Sequence, residues 1–177
     1  FGAKGAPFSL IRELLSSPSS EILLNFDADG LARLVEHPDE FDNVFGNGDW
    51  RALYEQGLTG QRLWLEMVNL YKRNLRTISG VKYVFSTEMR GKNDRLNYYL
   101  VFASKHRKGL EKMKEAMSAI VQDGSFVFSE AKLAQATLFS FDDPREYAAK
   151  MYDVFKGQSV TYEVVTDWFS PETPFLN

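Results

Sequence analysis

The chain has 177 residues, 44% hydrophobic and 14% aromatic, enough for one compact domain with a real core, alone or with a small appendage. Its 21 Lys and Arg against 24 Asp and Glu give a formal charge of −3, which excludes a globally basic nucleic-acid binder but not a local basic patch. The absence of cysteine removes disulfides and thiolate metal sites, and no apolar run approaches the ~18 residues of a membrane span, so a soluble cytoplasmic protein is expected.

"PFSLIRELLSS" spaces Phe8, Leu10, Ile11, Leu14 and Leu15 as a helix, with Pro7 suited to its first turn. "EILLNFD" follows as a continuous apolar run without alternation, which reads as a buried parallel strand. "ADGLARLVEHPDEF" predicts a second helix that Pro38 interrupts or ends, and "FDNVFGNGDWRALYEQG" an irregular excursion with a short helix at 50–54. "GQRLWLEMVNLYKRNLRTI" is the strongest helical pattern, with two adjacent apolar stripes and Gly80 as its C-cap. "VKYVFSTEM" and "RLNYYLVFAS" flank "RGKND" as an antiparallel hairpin. "RKGLEKMKEAMSAIVQDG" predicts a helix facing its core with Leu110, Met113, Met117, Ile120 and Val121, and "SFVFSE" a short strand. Beyond residue 141, "DDPREYAAKMYDVF" begins a helical tail. Helices alternating with buried strands indicate an α/β sheet covered on both faces, parallel except for an antiparallel edge hairpin.

The chemistry-bearing signals are sparse. His37 and His106 form no metal-ligand pair, and no nucleophile elbow or nucleophile–base pair is present. "GAKGAP" lacks Walker spacing; residues 2–5, including Lys4, are either a phosphate-binding lead to the first helix or a turn. Asn25, Phe26, Asp27 and Asp29 follow the first strand, where ligands bind in open α/β sheets; Asp29 either serves a ligand or caps the next helix. Lys105, Arg107, Lys108, Lys112 and Lys114 form either a phosphate-contacting patch or a solvated helix face. Arg90, Lys92 and Arg95 sit on the hairpin loop, which shares the ligand rim if the strand from Val81 runs parallel to the first.

Taken in order, "FG…PFSLIRELLSSPSSEILLNF", "VKYVFSTEMR", "YYLVFASKHRKGLEKMKEAM" and "TPF" resemble the three-Cys-motif partner proteins (TcmP), a family similar to class I S-adenosylmethionine-dependent methyltransferases. The resemblance implies the C-terminal half of a Rossmann-like sheet over residues 1–140 and a helical, partial winged-helix-like tail over 141–177. Phe1 and Gly2 would be the end of an Asp-Pro-Phe-Gly-like motif, and with Asn25 and Asp29 would line the catalytic pocket. Arg90, Lys92 and Arg95, with Lys105, Arg107 and Lys108, would contact substrate or nucleic acid. S-adenosylmethionine would bind the complete protein but not this chain alone, which lacks the glycine turn and ribose carboxylate. Two expectations follow: a fragment of a methyltransferase-like protein acting on nucleic acid, or a non-catalytic binding module for a protein or nucleic-acid partner. A homodimer through an open sheet edge is a further expectation. A hydrolase using "GAKGAP" is the outlying third reading.

Overall fold

The computed structural model describes residues 6–120, 127–129 and 144–172. Its helices are α1 (Phe8–Leu14), α2 (Ala28–Ala32), α3 (Pro38–Phe45), α4 (Arg51–Glu55), α5 (Gly60–Arg76), α6 (Arg107–Ile120), α7 (Pro144–Phe155) and α8 (Tyr162–Glu172). The strands are β1 (Glu21–Phe26), β2 (Tyr83–Arg90), β3 (Leu96–Ser104) and β4 (Val127–Ser129), in sheet order β1-β3-β2-β4.

The expected parallel, Rossmann-like sheet does not form. β3 lies between β1 and β2 and pairs antiparallel with both, from Glu21 opposite Ser104 to Phe26 opposite Tyr99, and from Tyr83 opposite Ser104. The parallel pairing present is the short one of β4 on β2. The error lies in reading "EILLNF" as covered on both faces. Ile22 and Phe26 are buried, but Leu23 points away from them and is 53% exposed. A strand with one dry face fits an antiparallel sheet, where one side can meet water. β1 stands at a sheet edge among the described residues.

Alternation in β2 and β3 distributes two cores. Val84, Tyr99, Val101 and Ala103 join Ile22 and Phe26 under α1, α3 and α5. Tyr83, Phe85 and Phe102 face the other way and hold Leu110 of α6. Within the larger core, Phe45 meets Phe41, Phe26 and Tyr71 at ring-centroid distances of 6.0, 6.1 and 6.1 Å. The last helix, α8, docks on the second face, where Tyr83 donates to Asp167 Oδ1 at 3.2 Å, and α7 meets α8 through Phe155 edge-on to Trp168.

Pro38 starts α3 instead of ending a helix, because its missing N–H costs nothing in a first turn. Gly46 ends α3 at φ 75°, and a Cβ there would press on the Phe8 ring. The strongest predicted helix runs from Gly60 to Arg76, with Thr77 as its C-cap; Gly80 serves the turn beyond. The Asn74 side chain is buried in α5 and donates to the Phe45 carbonyl at 2.8 Å, tying α5 to the end of α3. Asn74→Ala should cost about 1–3 kcal/mol and lower the melting temperature by several degrees, because it leaves that carbonyl without the amide. Thermal unfolding followed by circular dichroism measures this, and an unchanged midpoint would show the contact to be idle.

Candidate ligand pocket at the end of the first strand

A cavity of about 310 Å³ opens where β1 ends. Residues 23–27 form one wall, with Gly30, Leu31 and Leu34 from α2 and the turn after it, Val44 from α3, Tyr71 from α5, and Ala6. Four consecutive residues of β1, and Asp27 after them, reach the same cavity because β1 is an edge: its side chains and its backbone border the space together. The lining is mainly apolar, and the volume lies at the lower end of small-molecule sites.

The polar groups gather at the β1–α2 turn. Asp27 Oδ1 accepts from the Gly30 N–H at 2.8 Å, so Asp27 is the α2 N-cap. A side chain at Gly30 would run into the Asp27 carboxylate, which is why glycine fits here. Asn25 is exposed at the strand end and lines the cavity. Burial pushes the Tyr71 hydroxyl well above its usual range, so it stays a neutral O–H.

Asp29 is not the cap. Its Oδ2 meets Arg33 at 3.1 Å and Arg95 at 3.7 Å. Since β1 and β2 each run opposite to β3, they point the same way, and the 91–95 hairpin loop stands at the same end of the sheet as the cavity. Arg95 therefore reaches the β1–α2 turn. Arg90 is half-buried and spent within the hairpin, on Glu88 Oε2 at 2.7 Å and the Asp94 carbonyl at 2.9 Å. Lys92 is exposed on the loop. Phe1, Gly2, Lys4 and Gly5 lie outside the described residues, as do residues 173–177 with all of "TPF".

The other basic group sits at the opposite end of the sheet. Lys105 donates to the Ser16 carbonyl at 3.2 Å, and Arg107 pairs with Glu111 at 2.8 Å and donates to Thr166 Oγ1 at 3.2 Å. Lys108 and Lys112 are exposed, with Lys112 on Glu115. Nine residues of β3 separate this group from the hairpin loop, about 31 Å at ~3.4 Å per residue. The structure does not bring the two basic groups together.

Lys114 departs from the reading of a solvated face. It is 2% exposed, with its Nζ 5.9 Å from the Phe85 ring centre, and burial brings its pKa down to about 8 against the raising effect of Glu111. The signal was present in the sequence: 110, 113, 114 and 117 form an i, i+3, i+4, i+7 stripe. Arg33 and Tyr71 were also missed as site residues; an arginine four places after an aspartate was the clue to the first. His37 is exposed beside α3, and the His106 ring lies 3.0 Å from the Pro18 carbonyl. Among the described residues, no group of three or more His, Asp or Glu is arranged to hold a metal ion. No helix among them is long and apolar enough to cross a membrane.

Together the fold and cavity define a mixed α/β unit with an apolar, polar-mouthed pocket at a strand end. The chain matches no known family model, no characterised protein and no solved structure.

Proposed function

We propose that the chain is the acceptor-binding part of a methyltransferase-like protein of the three-Cys-motif partner kind, acting on nucleic acid in the cytoplasm. What supports this reading is the pocket at the end of β1, bordered by Asn25, the residue for which the resemblance implies that place. Its apolar walls would exclude water from a bound ring, and Asn25 offers one amide donor pair and one carbonyl acceptor to fix the ring's edge. S-adenosylmethionine, when bound, supplies an electrophilic methyl group. The residues here do not fit it: Asp27 is engaged by the Gly30 N–H, Asp29 by two arginines, and apart from Asn25 the walls are mainly apolar. The reading therefore gives this chain the acceptor and not the cofactor.

The test is calorimetric titration of the full-length gene product with S-adenosylmethionine, paired with a transfer assay. Binding is expected, and its absence would sink the proposal. Leu34→Trp, which narrows the pocket, should weaken acceptor binding about tenfold or more while leaving cofactor affinity unchanged.

A second reading, a non-catalytic binding module, is favoured by the engagement of both turn carboxylates in structural contacts. It predicts ligand or partner binding at the same pocket without methyl transfer. A second copy of the chain, paired along the open β1 edge, would be one such partner.

A further inference from the structure

β1 is an edge strand without the usual defences. Its six residues pair with β3 in an unbroken register, and among the described residues no strand pairs with its other side. Edges are normally blunted by lysine, proline or a bulge, and β1 has none of these. Its one charge, Glu21, stands at its first residue and is held by the Ser104 hydroxyl. Alternate residues of such a strand turn their N–H and C=O groups outward, about every 7 Å at ~3.4 Å per residue.

The cavity lies along this same edge. Leu23 to Phe26 border it, and Leu31 and Leu34 wall it from the α2 side. A strand added to β1 would run about 4.8 Å from it. Side chains alternate across a strand, so every second one would enter the cavity beside Leu24 and Phe26. The others would lie next to Leu23, which is 53% exposed on the opposite face. A small ring would fill the cavity and leave the row of backbone groups unpaired, whereas an extended polypeptide supplies both apolar side chains and a matching row of amides. Asp27 is the one charged group among the described lining residues, so a basic side chain suits that end.

We propose that the β1 edge and its cavity form a strand-addition site for an extended peptide of a partner protein, with alternating apolar residues and a lysine or arginine where it passes Asp27. Main-chain hydrogen bonds to β1 hold the peptide, and the cavity selects its side chains. The proposal names the partner for the second reading above, a binding module, and rests on that reading. A second copy of the chain is the poorer occupant. Antiparallel pairing of two β1 strands sets the Glu21 end of each beside the Asp27 end of the other, like charge against like.

The experiment pans the full chain against a phage-displayed library of random dodecapeptides. The most enriched sequence is then synthesised with a single backbone N-methyl group at each position in turn, and fluorescence anisotropy gives the affinities. Enriched sequences should alternate apolar residues and carry lysine or arginine. N-methylation should weaken binding about tenfold at every second position and little in between, a period that only ladder pairing produces. Leu34→Trp should also cost about tenfold. Asp27→Asn keeps the α2 cap and should weaken the basic peptide about two- to fivefold, with no effect on its glutamine analogue. This second variant carries the test where Leu34→Trp fails to fold. Binding that responds to Leu34→Trp without the two-residue period overturns strand addition and leaves the pocket standing as a partner site. If no enriched peptide responds to either variant, both readings fall. A dimer at sedimentation equilibrium that excess peptide does not dissociate gives the edge to a second copy and overturns the proposal.

Discussion

Phe45→Ala is expected to destabilise the protein by about 3–5 kcal/mol, the range for deleting a fully buried aromatic ring. Phe45 has no exposed surface and sits where three elements meet: Phe41 of its own helix, Phe26 at the end of β1 and Tyr71 of α5. Deleting the ring removes its apolar burial and leaves a void that Phe41, itself fully buried, can fill only by leaving Trp50. Most domains are stable by roughly 5–15 kcal/mol, so the loss is a large share of the total. Phe45→Leu keeps most of the volume and should cost less than half as much. Urea unfolding of the three proteins measures the series. A loss under about 1 kcal/mol for the alanine variant would show that this core is not packed as described. The pocket should respond too, since Phe26 and Tyr71 line it and both lean on Phe45.

Leu110→Ala is the matching result for the other face, at about 2–5 kcal/mol. Leu110 is fully buried among Tyr83, Phe85 and Phe102, and that small cluster is what fastens α6 to the sheet. The spread in cost depends on how far α6 can settle into the gap. Gly109 decides this. A Cβ at Gly109 would already collide with Glu21 and with Ser104, so the helix stands as close to the sheet as it can at that point. There the Ser104 hydroxyl donates to Glu21 Oε1 at 2.8 Å and receives the His106 N–H at 2.9 Å. With its first turn fixed, α6 should collapse little, and the cost should fall in the upper half of the range. Because the cavity lies on the opposite face, Leu110→Ala should leave ligand binding at the pocket unaltered while the protein remains folded, a separation Phe45→Ala should not show.

The helices were legible from periodicity because their apolar residues recur at helical spacing against one sheet. α5 is the clearest case, with Leu63, Met67, Leu70 and Tyr71 all buried as the pattern implies. The hairpin was legible from its loop chemistry. Strand order was not, because pairing partners are fixed by register across distant segments and not by any local spacing. "EILLNF" shows the limit: three consecutive aliphatic residues suit a strand buried on two faces or one edge strand with an exposed leucine. At the site, the strand end and the hairpin loop were legible as neighbours, and Asn25 and Arg95 both stand there. The division of labour between Asp27 and Asp29 was not, because either spacing satisfies an N-cap on paper. Which carboxylate caps depends on backbone angles at the turn, and Arg95 reaches the other from 66 positions away.

The distance between the two basic groups has a consequence for the size of any polyanion that touches both. Successive phosphates along one strand of a duplex rise about 3.4 Å, so the ~31 Å between the hairpin loop and the start of α6 corresponds to roughly nine of them. A single phosphate group can report on one end only. Engagement of Lys108 at the far end would begin only with strands of about that length, giving a binding isotherm that steepens with oligonucleotide length in one step and not gradually.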